Sequence, residues 1–154
     1  MNTDTIKNGL QDLIYRLQDA EKGYREIILA SNNPALNSWL EKYAQERHEM
    51  HQKLESYIVE LGGSPKVDTT FLGELHRMFI EIKLNNTKAE NEFNAIVTEI
   101  ERGAKALISD YEKVLSDVEM SAEYVSTLNM QKSTIQAELD TLIELREEFS
   151  SVRV

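Results

Sequence analysis

The sequence predicts an all-α protein: a four-helix bundle made of two antiparallel hairpins joined by one long crossover. Three observations lead there. Apolar residues recur at alternating spacings of three and four over long stretches, the mark of a helix with one buried face. Only six Gly and two Pro occur in 154 residues, too few for a β protein rich in turns. The few breaks, at Asn32-Asn33-Pro34, Gly62-Gly63-Ser64-Pro65 and Asn85-Asn86, divide the chain into helix-sized pieces.

The first helix is expected near 3–31, on Leu10, Leu13, Leu17, Ala20, Tyr24 and Ile27, with Ile14 and Ile28 widening the stripe. Asn is a good N-cap and Pro fits the first helical position, so Asn33-Pro34 starts the next helix. That helix, near 34–61, carries Leu36, Leu40, Tyr43, Arg47, Met50, Leu54, Ile58 and Leu61. Glycine and proline then stop it. A shorter helix near 70–86 uses Leu72, Leu75, Phe79 and Ile82. Thr87 and Glu90 form a capping box that opens a helix near 88–115, with Phe93, Val97, Ile100, Ala104, Leu107, Tyr111 and Val114 inward. Ser116 and Glu119 give a second such signal, with Asp117 as a competing cap. The last helix is expected near 118–150, on Val125, Leu128, Ile135, Leu139, Leu142 and Phe149.

A long helix of this kind spans roughly 40 Å. The first two are joined by a tight break and pack antiparallel, as do the last two. The stretch from 62 to 87 is too long for a turn and reads as a crossover containing a short fifth helix. Two hairpins with one crossover are the ferritin-like arrangement, against a plain array of five sequential helices. One domain over residues 1–154 is the expected organisation.

Composition excludes several chemistries. There is no Cys, so disulfides, thiolate metal sites and cysteine nucleophiles are absent. With 27 acidic and 17 basic residues the formal net charge is −10, which argues against nucleic acid as a partner. No apolar run approaches the roughly 18 residues of a membrane span. The start, Met1-Asn2-Thr3-Asp4, lacks the pattern of a secretory signal, so a cytoplasmic location with no membrane partner is expected. There is no phosphate-binding glycine loop, no Gly-x-Ser-x-Gly elbow and no internal repeat.

Several short runs resemble one family. They are Gly23-Tyr24, Glu46-Arg47, Leu61-Gly62-Gly63-Ser64-Pro65, Gly73-Glu74-Leu75-His76-Arg77 and Glu101-Arg102-Gly103, spread over most of the chain. Together they are similar to a bacterial ferritin-like four-helix-bundle family of unknown function, the domain of unknown function 2383 family. The resemblance implies the bundle fold and no particular activity. Two places depart from the family's pattern. Ala104 stands where a glutamate usually follows Glu-Arg-Gly, and Leu139-Asp140 where a histidine-aspartate pair is common. Both Ala104 and Leu139 fall on the apolar seam. Asp19 matches a further landmark, but its phase points away from that seam.

Two groups of side chains are candidates for a role. The first is a buried polar layer at mid-helix: Glu21, Arg47, Glu101, and Lys132 or Gln131. A guanidinium on a seam must find acceptors, because an unpaired charge in a dry core costs several kcal/mol. Arg47 is expected to be buried and paired with Glu21 or Glu101. The second group, Glu46, His48, Glu49 and His51, is a weaker metal candidate beside its reading as a solvated helix face. A dinuclear iron or manganese bundle needs Glu-x-x-His pairs, and none occurs here. His76 and Arg77 lie on the crossover, where His76 borders its apolar face.

The reading of function is a non-enzymatic bundle that acts through contacts with a protein partner or as a homo-oligomer, without cofactor. The alternative is a ferritin-like oxidoreductase or metal store using iron or manganese.

Overall fold

The computed structural model describes the backbone of residues 2–67 and 89–151, and the side chains of 2–67 and 93–149. Four helices lie there: α1 (Thr3–Ala30), α2 (Pro34–Glu60), α3 (Ala89–Asp117) and α4 (Ala122–Ser151). The chain is an all-α four-helix bundle.

Each helix end that the structure describes has a local cause. The Asn2 side chain accepts from Thr5 N at 3.1 Å and starts α1. Asn33 does the same for Leu36 N at 3.0 Å and starts α2, with Pro34 at the first helical position. At the end of α2, Gly62 takes φ +82°. Gly62 N–H then donates to Val59 O and Gly63 N–H to Ile58 O, at 3.0 and 2.9 Å. That pair of bonds is the Schellman closure, and its left-handed residue favours glycine. The start of α4 falls later than the Ser116–Glu119 signal suggests. Val118 N–H still donates to Val114 O, and the Val118 side chain packs near Gly9 of α1. The turn is therefore delayed, and Ser121 Oγ, not Ser116, accepts from the first turn of α4 through Tyr124 N at 3.4 Å.

Side-chain pairs fix the arrangement. Tyr24 meets Trp39 across the α1–α2 hairpin, and Phe93 stacks on Phe149 across α3–α4 at 4.0 Å. Gly9 faces Val114 and Arg16 pairs with Asp110 at 3.4 Å, so α1 and α3 are antiparallel. Trp39 reaches Thr141 and Tyr57 reaches Thr127, so α2 and α4 are antiparallel too. Contact pairs join α1–α2, α3–α4, α1–α3 and α2–α4. Helices α2 and α3 therefore occupy opposite corners and run in the same direction. Gly63 approaches Lys7 near the start of α1. Phe93 lies by Leu36 at the other end. The end of α2 and the start of α3 thus lie at opposite ends of the bundle. The residues just after α2 are tied to α1 by Gln11, which bonds both Lys66 N (2.8 Å) and Lys66 O (3.0 Å). The short helix expected near 70–86, with His76 and Arg77, and the Thr87 cap lie outside the described residues.

The core is the expected seam. Leu10, Leu13, Ile14, Leu17 and Ile27 of α1, Leu36, Leu40 and Leu54 of α2, Val97 of α3, and Leu128, Ile135 and Leu142 of α4 are fully buried. Each such side chain contributes about 1.5–3 kcal/mol by leaving water. Ala104 and Leu139 are buried within it.

Candidate functional site

Two polar clusters interrupt this core, one at its centre and one at the edge of the α1–α2 hairpin. At the centre, Arg47 of α2 is 1% exposed and its guanidinium donates to Glu138 of α4, which is 3% exposed. The guanidinium also lies 5.8 Å from the centroid of the Tyr24 ring, within cation–π reach. Beside the pair, Tyr111 OH donates to Gln131 Oε1 at 2.6 Å, and Gln131 Nε2 donates to the Met50 carbonyl at 3.2 Å.

The charges in this cluster are set by burial. Burial raises the Glu138 carboxyl, the neighbouring Glu46 carboxyl raises it further, and Arg47 pulls it back only in part, leaving it at about 8. Burial lowers Arg47, while Tyr24 and Glu138 raise it, and the net direction is upward, so the guanidinium is charged. Glu138 Oε1 and Glu46 Oε2 are both buried without a donor from another group. Glu46 and Glu138 face each other, and this like-charge neighbour adds to the rise of the Glu138 carboxyl. Burial likewise pushes the Tyr24 and Tyr111 phenols up.

The second cluster straddles α1 and α2. Glu21 Oε1 is 2.7 Å from His51 Nε2 and 3.1 Å from His48 Nδ1. The other oxygen of Glu21 accepts from Arg25 Nε at 3.1 Å. His51 Nδ1 faces Glu55 Oε2 at 3.2 Å, and Gln18 Nε2 donates to the other Glu55 oxygen at 3.3 Å. Burial alone would raise the Glu21 carboxyl, but its bonds with His51, His48 and Arg25 hold it below the usual carboxylate range. Glu21, His48 and His51 present three ligand atoms within 4.8 Å of one another. They border an open groove of about 570 Å³ that also touches Tyr15, Gln52 and Val67.

The expected layer is thus divided. Arg47 is buried as its phase requires, but its partner is Glu138, not Glu21 or Glu101. Glu21 turns to the histidines. Glu101 sits at the α3–α4 edge, bonded to Arg146 at 2.9 Å and Lys105 at 3.1 Å, and these hold its carboxyl low. Lys132 is 29% exposed and lies 4.0 Å from Glu112, while Gln131 takes the inward place. Among the four residues of the weaker group, His48 and His51 converge. Glu46 turns toward Glu138, and exposed Glu49 accepts from Gln45 at 3.4 Å, so neither joins them. Both departures have one cause. A helix presents residues three and four apart on one face, so Glu46 and Glu49 cannot share the face of His48 and His51.

Sequence reasoning passed over Glu138. The signal was there: Leu128, Gln131, Ile135, Glu138 and Leu142 step by three and four, the same rhythm as the apolar seam.

The family model described as a domain of unknown function, DUF2383, matches residues 5–117. The chain belongs to this family. The match to DUF2383 takes in α1, α2 and α3, and therefore both clusters except for Glu138 and Gln131, which α4 supplies. No curated protein matches the chain.

Proposed function

We propose that the chain is a non-catalytic, ferritin-like bundle that works by protein contact, self-association included, in the cytoplasm and without nucleic acid. The observation that carries this reading is the occupied centre. A dinuclear bundle enzyme aims carboxylates and imidazoles at its midpoint. Here the midpoint is filled by Arg47, by Glu138 and by the Tyr111–Gln131 bond, among buried leucines. A guanidinium competes with a metal ion for the same carboxylates, so iron or manganese chemistry at this level would require Arg47 to leave. The parallel course of α2 and α3 on opposite corners supports the ferritin-like arrangement. No helix among the described residues is long and apolar enough to cross a membrane.

Light scattering across a concentration series tests the reading. The expected result is a mass that rises above the 17.7 kDa of one chain as concentration increases. A mass fixed at one chain throughout overturns self-association. Stoichiometric iron or manganese that is lost on Glu138→Ala overturns the closed centre.

A further inference from the structure

We infer that Glu21, His48 and His51 form a binding site for one divalent first-row transition metal ion of the Zn²⁺ type, at the edge of the α1–α2 hairpin and apart from the bundle centre. Two imidazole nitrogens and one carboxylate oxygen are a donor set that suits zinc and its neighbours. All three ligand atoms converge: His48 Nδ1 and His51 Nε2 both point at the same oxygen, Glu21 Oε1.

The groups around them are placed as supports. Glu55 Oε2 lies 3.2 Å from His51 Nδ1 and so holds the ring with Nε2 aimed at Glu21. That is the carboxylate–histidine–metal relation in which an outer carboxylate fixes the tautomer of a ligand. Gln18 in turn holds Glu55 by its other oxygen. Arg25 occupies Glu21 Oε2 and leaves Oε1 for the ion. His51 Nε2 lies 2.7 Å and His48 Nδ1 3.1 Å from Glu21 Oε1, so the three ligand atoms already stand together on one side of the hairpin. The two histidines, three apart on α2, lie on one face, and the hairpin brings Glu21 of α1 against it. His51 is buried and His48 is half-exposed, so the ion sits at the wall of the groove. Three protein ligands leave a fourth position, which opens to that groove and takes water. Among the described residues, this is the group in which three such ligand atoms converge.

Titration of the full chain with ZnCl₂, followed by calorimetry, and with CoCl₂, followed by the visible absorption of nitrogen-ligated cobalt, tests the site. Wild type is expected to bind one ion per chain. His48→Ala and His51→Ala each weaken binding at least about tenfold. Glu55→Gln, which removes no ligand atom, weakens it by about 10–100-fold. Lys105→Ala, at the far α3–α4 edge, leaves it unchanged. Circular dichroism melts of each variant establish that it is folded before its affinity is compared. Zinc bound equally well by the folded triple variant Glu21→Gln/His48→Asn/His51→Asn overturns the site, as does a wild type with no cobalt spectrum and no zinc heat. Retained affinity in Glu55→Gln with loss in both histidine variants keeps the ligands and overturns the positioning role of Glu55.

Discussion

Arg47 shows how one side chain can be placed by phase and yet be misassigned by partner. Its position on the α2 stripe predicts burial, and its charge predicts a carboxylate, but four helices offer several. The seam of α4 passes through both Glu138 and Leu139, and reading only its apolar member hides the acid. The Glu21 cluster was illegible for a different reason: each half lies on a separate helix, and only the hairpin register brings them together. Removing the guanidinium leaves a buried acid, so Arg47→Ala is expected to cost about 3–5 kcal/mol in urea unfolding. The paired replacement Arg47→Met with Glu138→Leu is expected to be neutral or to gain about 1–4 kcal/mol, since both desolvation costs disappear. The pH dependence has a definite sign. The Glu138 carboxyl is raised in the folded state to about 8 from an ordinary 4.5. Its neutral form is thus the one the fold prefers. The stabilisation is complete below the ordinary value and is lost as pH rises through the folded one. Wild-type stability should fall across that window by up to about 1.4 kcal/mol per pH unit from this group. Glu138→Gln, which accepts from Arg47 and donates to Glu46, should flatten that slope in melts taken across the window.

At the scale of the helix, boundaries follow capping chemistry wherever a cap has no rival. Asn33-Pro34 and Gly62-Gly63 are in their expected places because each supplies a conformation or an acceptor that nearby residues do not. The α3–α4 turn was less legible because Ser116, Asp117 and Ser121 all offer caps, and the packing of Val118 near Gly9 decides among them. Gly62 carries a specific test. A side chain at its φ of +82° is strained although nothing lies within 4 Å of the added carbon. Gly62→Ala should therefore cost about 1–2 kcal/mol through backbone conformation alone. Thermal unfolding measures it, and a melt unchanged from wild type would show that the turn adopts another closure.

For the molecule as a whole, charge and topology act together. The net charge of −10 repels itself in the compact state, while most ion pairs among the described residues are partly exposed, where each is worth little. Raising salt from about 10 to about 300 mM shortens the Debye length from roughly 30 Å to less than 8 Å, so it should raise the melting temperature. The α1–α2 and α3–α4 hairpins are each closed by a short turn, so their contacts are local in sequence and cheap to form early. The Arg47–Glu138 pair belongs to neither hairpin. It joins α2 to α4, residues far apart along the chain, and it forms when the two halves dock. In a chevron analysis, weakening it should leave the folding limb nearly where it was and lift the unfolding limb. The buried pair then governs how long the folded molecule lasts more than how fast it is made: it acts as a latch on the lifetime of the bundle.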